Sequence, residues 1–172
     1  TVRVNPCGRF RTYDRAMESA KTADVAIEPA RSGDIPALLE LLRALFAIES
    51  DFDFDAGKQA RGLALLIERP GARVLVARNP DGIVGMASAQ LVVSTAEGAF
   101  SAWIEDVCVA ESARGAGIGR RLLAAALDWA RAQGATRAQL LADLDNAPAL
   151  AFYERLGWQA TRLGARRIFL AL

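Results

Sequence analysis

The sequence predicts a single α/β domain in which a mixed, mostly antiparallel sheet is covered by helices. Two alternating runs, Arg73–Arg78 and Ile83–Val93, flank the turn Asn79-Pro80-Asp81-Gly82 and predict an antiparallel hairpin. A strand ending at Val107-Cys108-Val109 then enters a glycine-rich loop, a long amphipathic helix and another strand, a β-α-β order that makes two neighbouring strands parallel. With 172 residues, 52% hydrophobic and 24% charged, the chain is long and apolar enough to bury one core.

The elements follow in order. Val25-Ala26-Ile27 opens the domain as a short strand. Ser32 and Asp34 supply capping side chains, and Pro36 suits a first helical turn. Ile35, Leu38, Leu39, Leu42, Leu45 and Phe46 recur at helical spacing, so one face of that helix belongs to the core. Glu49–Asp55 breaks the pattern as an acidic, aromatic loop, and a second helix through Leu63, Leu66 and Ile67 stops before Pro70-Gly71. After the hairpin strands, Ser94–Gly98 is a loop leading into the Trp103–Val109 strand. The next helix carries Ile118, Leu122, Leu123, Ala126, Leu127 and Ala130, and Gly134 ends it. Ala138–Ala142 reads as a strand, Asn146–Leu156 as a short helix, and Trp158–Leu172 as two final short strands. The expected order is therefore β-α-α-β-β-β-α-β-α-β-β.

Residues 1–23 form a basic N-terminal extension ahead of a domain spanning 24–172, with Arg3, Arg9, Arg11, Arg15 and Lys21 against Asp14 and Glu18. Two readings are open for it: a poorly ordered tail, or a helix over Tyr13–Ala20 packed on the body or on a second subunit of a homodimer.

Composition excludes several functions. A net charge of +1 gives no whole-protein argument for nucleic acid or an anionic membrane. No apolar run approaches the roughly 20 residues that cross a bilayer, and no secretory core opens the chain, so the cytoplasm is the default location. Histidine is absent, which removes Ser-His-Asp and Cys-His catalysis and most transition-metal sites. Cys7 and Cys108 lie in such different contexts that a disulfide between them is not expected.

The loop Arg114-Gly115-Ala116-Gly117-Ile118-Gly119-Arg120 is a place for backbone N–H groups to converge on a phosphate. A dinucleotide fingerprint would need glycine at position 120, which is Arg120, and no Gly-Lys-Ser/Thr follows for a nucleotide-hydrolase loop. A purely structural turn is the other reading, although it does not require three alternating glycines.

Two motifs carry a resemblance. Arg114-x-x-Gly117-x-Gly119, just past a Val-Cys-Val strand end, resembles the signature of the GNAT superfamily of acyl-CoA-dependent N-acyltransferases. Asn146-x-x-Ala149-x-x-Phe152-Tyr153-Glu154-Arg155-Leu156-Gly157-Trp158 is similar to that family's "N-x-x-A-x-x-F/L-Y-E-K-x-G-F" helix. The resemblance covers about residues 24–172. It implies a GNAT-like fold, with a sheet splayed at the coenzyme site, and acetyl transfer from acetyl-CoA to an amine without a metal. The acceptor would be a small molecule or a peptide.

The resemblance also implies roles. Backbone N–H groups from Gly115 through Ala116, Gly117, Ile118 and Gly119 to Arg120 would hold the coenzyme pyrophosphate, with Arg114 and Arg120 adding charge. The edge of Val107, Cys108 and Val109 would pair with the pantetheine arm. Asn146 would contact the coenzyme as well as cap its helix. Tyr153 stands where many members place the acid that protonates the departing thiolate; the plainer reading, which the motif around it disfavours, is a tyrosine packed on a helix face.

An alkylammonium has a pKa near 10.4, so freeing its lone pair at pH 7 costs about 4–5 kcal/mol, and a carboxylate base reduces that barrier. Glu105 is the candidate base, with a salt-bridged sheet residue as the plainer reading. Strand alternation puts Glu105, Val107 and Val109 on one face and Asp106 and Cys108 on the other. A covalent acyl-cysteine route through Cys108 is disfavoured on that ground and by the lack of histidine. Phe46, Glu49 and Phe52 are candidates for the acceptor pocket, beside Asp51, Asp53 and Asp55, unless the loop is simply solvated. Three rival functions are a catalytically silent acyl-CoA sensor, a nicotinamide-dependent enzyme, and DNA binding through the basic tail.

Overall fold

A computed structural model describes residues 24–49 and 51–170, so both readings of the 1–23 extension lie outside the described residues. Among the described residues, five strands form one sheet in the order β1-β2-β3-β4-β5. These are β1 (Ala26–Pro29), β2 (Ala72–Asn79), β3 (Gly82–Ser94), β4 (Ala99–Val109) and β5 (Ala135–Leu140). β1 to β4 pair antiparallel, and β4 pairs parallel with β5. The helices are α1 (Ile35–Phe46), α2 (Ala56–Glu68), α3 (Ile118–Ala132) and α4 (Ala147–Arg155).

Alternation along the strands divides the core in two. Leu75, Ala77, Ala87, Ala89, Ala102 and Ile104 face α3, which buries Ile118, Leu122, Leu123, Ala126 and Ala130 against them. Val74, Val76 and Met86 face the other way, towards Leu38, Leu41 and Leu42 of α1 and Leu63 of α2. The apolar stripes expected on α1 and α3 are the faces that pack. Asp55 caps α2 by accepting the Lys58 N–H at 3.0 Å, so the acidic loop also starts the second helix.

Two elements differ from expectation. β5 begins at Ala135, directly after Gly134 (φ +85°) reverses the chain, rather than at Ala138. Trp158–Leu170 contains no strand. Leu163, Ile168, Phe169 and Leu170 are exposed and find no core face, and Arg167 anchors the segment on Asp51 instead. Apolar, β-prone residues make a strand only where a partner edge and a face to bury them meet.

Candidate active site

β4 and β5 pair from Phe100↔Ala135 to Ile104↔Leu140 and then part, leaving Glu105–Val109 without a strand on that side among the described residues. The chain beyond β4 makes one 3-10 turn at Glu111–Ala113, passes Gly115 (φ +81°) and Gly117 (φ +72°), and enters α3. The N-cap residue of α3 is Gly117, which has no side chain to cap the helix, so the leading N–H groups receive no acceptor from the cap position. A Cβ on Gly119 would lie 3.3 Å from Phe152 Cζ, so glycine lets α4 close against this turn. Arg114 and Arg120 are exposed, and Arg114 Nε donates to the Val109 carbonyl at 3.1 Å. Asn146 Oδ1 accepts the Ala149 N–H at 3.1 Å and caps α4.

A bulge in β4 changes the predicted faces. Met86 pairs with Cys108 and Ser88 with Glu105, so Asp106 and Val107 together oppose Ala87. Asp106 takes φ +53° at this point. Val107 and Val109 then pack on the α3 side with Ala102 and Ile104, whereas Cys108 packs on the α1/α2 side. Glu105 also lies on the α1/α2 side, its Oε2 accepting from Gln90 Nε2 at 3.2 Å. Glu105 therefore does not share a face with Val107 and Val109, and it does share one with Cys108. The inserted residue shifts the alternation by one, which residue types alone do not signal.

Carboxylates from three segments face this strand end. Burial, reinforced by Glu105 and Glu49, raises the Asp106 carboxyl to about 6, against the lowering effect of the Ser88 hydroxyl. Burial and then the neighbouring Asp143 and Asp51 push Glu49 up. Burial, and after it Asp106, pushes the Cys108 thiol up to about 12, so Cys108 is a protonated free thiol and a poor nucleophile. Burial, rather than the predicted face, is thus what weighs against an acyl-cysteine. Tyr153 is half-buried, edge-on to Phe152 and Trp158, and burial followed by Glu49 raises its phenol, keeping it protonated.

Where the sequence places candidates for an acceptor pocket, Phe46 and Phe52 stack with centroids 5.5 Å apart. The Arg167 guanidinium lies 5.1 Å from the Phe52 ring and 3.1 Å from Asp51 Oδ1, so this corner already accommodates a cation. Asp106, Ser88 and Arg167 are the members of the site that sequence reasoning missed. Each depends on register or on a contact distant in sequence. A surface concavity of about 610 Å³ between Phe100 and Gln133 lies at the opposite end of the sheet and has no ionisable lining.

The sequence model of the acetyltransferase (GNAT) family matches residues 36–158. A streptothricin acetyltransferase from Streptomyces lavendulae is 38% identical over 153 residues, covering 83% of this chain and 72% of that protein. The crystal structure of an acetyltransferase from Trypanosoma brucei superposes with a TM-score of 0.63 at 30% identity, over 87% of this chain and 100% of the other. An aminoglycoside acetyltransferase from an uncultured soil sample, solved with sisomicin, shares the fold with a TM-score of 0.68 at 21% identity, over 86% and 97% of the two chains. With the family match running from α1 through Trp158 and so taking in both the glycine loop and the α4 motif, the chain belongs to the GNAT acetyltransferase family and is an acyltransferase.

Proposed function

We propose that the protein moves an acetyl group from acetyl-CoA to a primary amine on a cationic molecule, by direct attack within a ternary complex. The observation that carries this reading is the open edge of β4. Glu105–Val109 lose their β5 neighbour one short loop before the start of α3, whose N-cap is a glycine, so a strand edge and an anion site follow in succession.

The residues present fit coenzyme A. The backbone from Gly115 to Arg120 would take the pyrophosphate, with exposed Arg114 and Arg120 as countercharges. Val107, Cys108 and Val109 would align the pantetheine arm, and Asn146 would meet it from α4. When bound, the coenzyme supplies an activated acetyl thioester. Glu105, exposed and held by Gln90, receives the amine at the rim and promotes loss of its proton. Tyr153, kept protonated by its surroundings, donates to the departing sulfur. Phe46, Glu49 and Phe52 line the acceptor side, where acids and aromatics suit a positively charged molecule.

The name of the Streptomyces relative makes streptothricin the first acceptor to try. The same reading carries a cytoplasmic location, where the coenzyme is supplied. Calorimetry with acetyl-CoA, CoA and NAD, followed by thiol release with streptothricin, sisomicin and lysine-bearing peptides, tests it. Acetyl-CoA binding and acceptor-dependent thiol release are expected. NAD binding without CoA binding would overturn the coenzyme assignment, and tight CoA binding without turnover on any acceptor would overturn the enzymatic one.

A further inference from the structure

We propose that Asp106, turned to the acceptor side by the β4 bulge, is the final acceptor of the amine's proton, while Glu105 holds the ammonium at the rim. The inference rests on the acetyl-transfer reading and divides between two residues the work assigned above to Glu105.

Without the bulge, residue 106 would follow Ala102 and Ile104 into the apolar core against α3. With it, the carboxylate meets Ser88, whose hydroxyl lies 3.2 Å from Asp106 Oδ2 and 3.1 Å from the Glu105 carbonyl. One hydroxyl proton is shared between the two acceptors. Asp106 is also the non-glycine residue with positive φ among the described residues, a conformation costing L-residues about 1–2 kcal/mol. Strain of that kind persists where the fold over-determines it, and it concentrates at reactive positions.

Among the described residues, the groups facing Asp106 are Glu105 and Cys108 from its own strand, Ser88 from β3, and Glu49 from the loop after α1. None is a cation. A buried carboxylate among like charges binds a proton more strongly than an exposed one, here with an apparent pKa of about 6. It is therefore a better match for an ammonium donor than an ordinary surface carboxylate, while still deprotonated at neutral pH.

The proton count closes. The ammonium gives one proton to Asp106, and the freed nitrogen forms the C–N bond to the acetyl carbon. As the C–S bond breaks, Tyr153 protonates the sulfur and recovers its proton from the nitrogen, leaving amide, free thiol and one proton released from Asp106 to solvent.

The test is the pH dependence of kcat/KM between pH 5 and 9, with acetyl-CoA and streptothricin, or sisomicin where streptothricin gives no turnover. Wild type is expected to lose activity below about pH 6. Asp106→Asn keeps the φ preference and an oxygen for Ser88, so a purely structural role predicts near-normal activity. The proposal predicts a loss in kcat on the order of 10²-fold and replacement of the acid limb by a slope of about tenfold per pH unit, as only pre-deprotonated amine reacts. Glu49→Gln should move the limb to lower pH and Ser88→Ala to higher pH. Glu105→Gln should raise KM and lower the limb without abolishing it. A substrate-free check is ¹³C NMR titration of the Asp106 carboxyl, expected near 6. A carboxyl titrating near 4, or Asp106→Asn within threefold of wild type with its acid limb intact, would overturn the proposal while leaving acetyl transfer in place. Absence of acetyl-CoA binding and turnover in wild type would bring down both.

Discussion

Replacing Gly85 with alanine tests whether the α3 start and the coenzyme strand are packed as tightly as the geometry says. Gly85 sits in β3 opposite Val109, with a φ that alanine adopts freely. In open space the change would stabilise the protein by about 0.4–1 kcal/mol, because alanine has less freedom to lose on folding. Here the new Cβ would meet the Cys108 carbonyl oxygen at 3.1 Å, Leu122 Cδ1 at 3.2 Å and Ile118 Cγ2 at 3.4 Å. One of these is backbone and the other two belong to buried core side chains of α3, so none yields easily. Overpacking of this kind costs about 1–3 kcal/mol, leaving a net loss on the order of 1–2 kcal/mol. For a chain of this size Tm should fall by about 2–8 °C in a calorimetric or circular-dichroism melt. Because the displaced atoms are Cys108 and the first turns of α3, CoA affinity should fall as well. Gly62→Ala is the control: nothing lies within 4 Å of its Cβ, and α2 should gain about 1 kcal/mol. A Gly85→Ala protein as stable as wild type or more so would refute the packing argument.

Other consequences are measurable in the same preparations. Tyr153→Phe should lower kcat at least tenfold while leaving the CoA dissociation constant within about twofold, since it removes a hydroxyl and little packing surface; unchanged kcat with chemistry rate-limiting would exclude Tyr153 as the acid. Cys108→Ala should retain more than about half of kcat, and iodoacetamide should react slowly with this thiol at pH 8, because burial and Asp106 keep it protonated. Burst acylation of Cys108 seen by mass spectrometry would contradict that. Asp106 also makes a stability prediction with a definite sign. Its folded pKa, about 6, exceeds the roughly 3.9 of an unfolded aspartate, so its favourable contribution is complete below pH 4 and is lost as pH rises through 6. Urea melts of Asp106→Asn against wild type should therefore diverge with pH, the variant gaining on the order of 2–3 kcal/mol by pH 8; parallel curves would argue against the burial.

The helices, the glycine register and the order of the elements through α4 are legible in the residues, because each rests on local rules. Apolar spacing at Leu38, Leu42 and Leu122 marks a buried helical face wherever the helix sits. The spacing of Gly115, Gly117 and Gly119 excludes a dinucleotide loop before any fold is known. The α4 motif, joined to that loop, was enough to indicate the family. Which carboxylates meet depends on long-range pairing. Asp106 and Glu105 share a face through a one-residue bulge whose register is set by pairing with β3, seventeen residues or more away in the chain. The same long-range pairing explains the missing end strands: Ile168 and Phe169 have strand chemistry, but in this fold Arg167 ties their segment to Asp51 rather than to the β5 edge. Local chemistry specifies what a segment prefers, whereas register and partner edges fix where its side chains point. At this site, those tertiary choices convert two adjacent acidic residues on one strand into a rim carboxylate and a buried one.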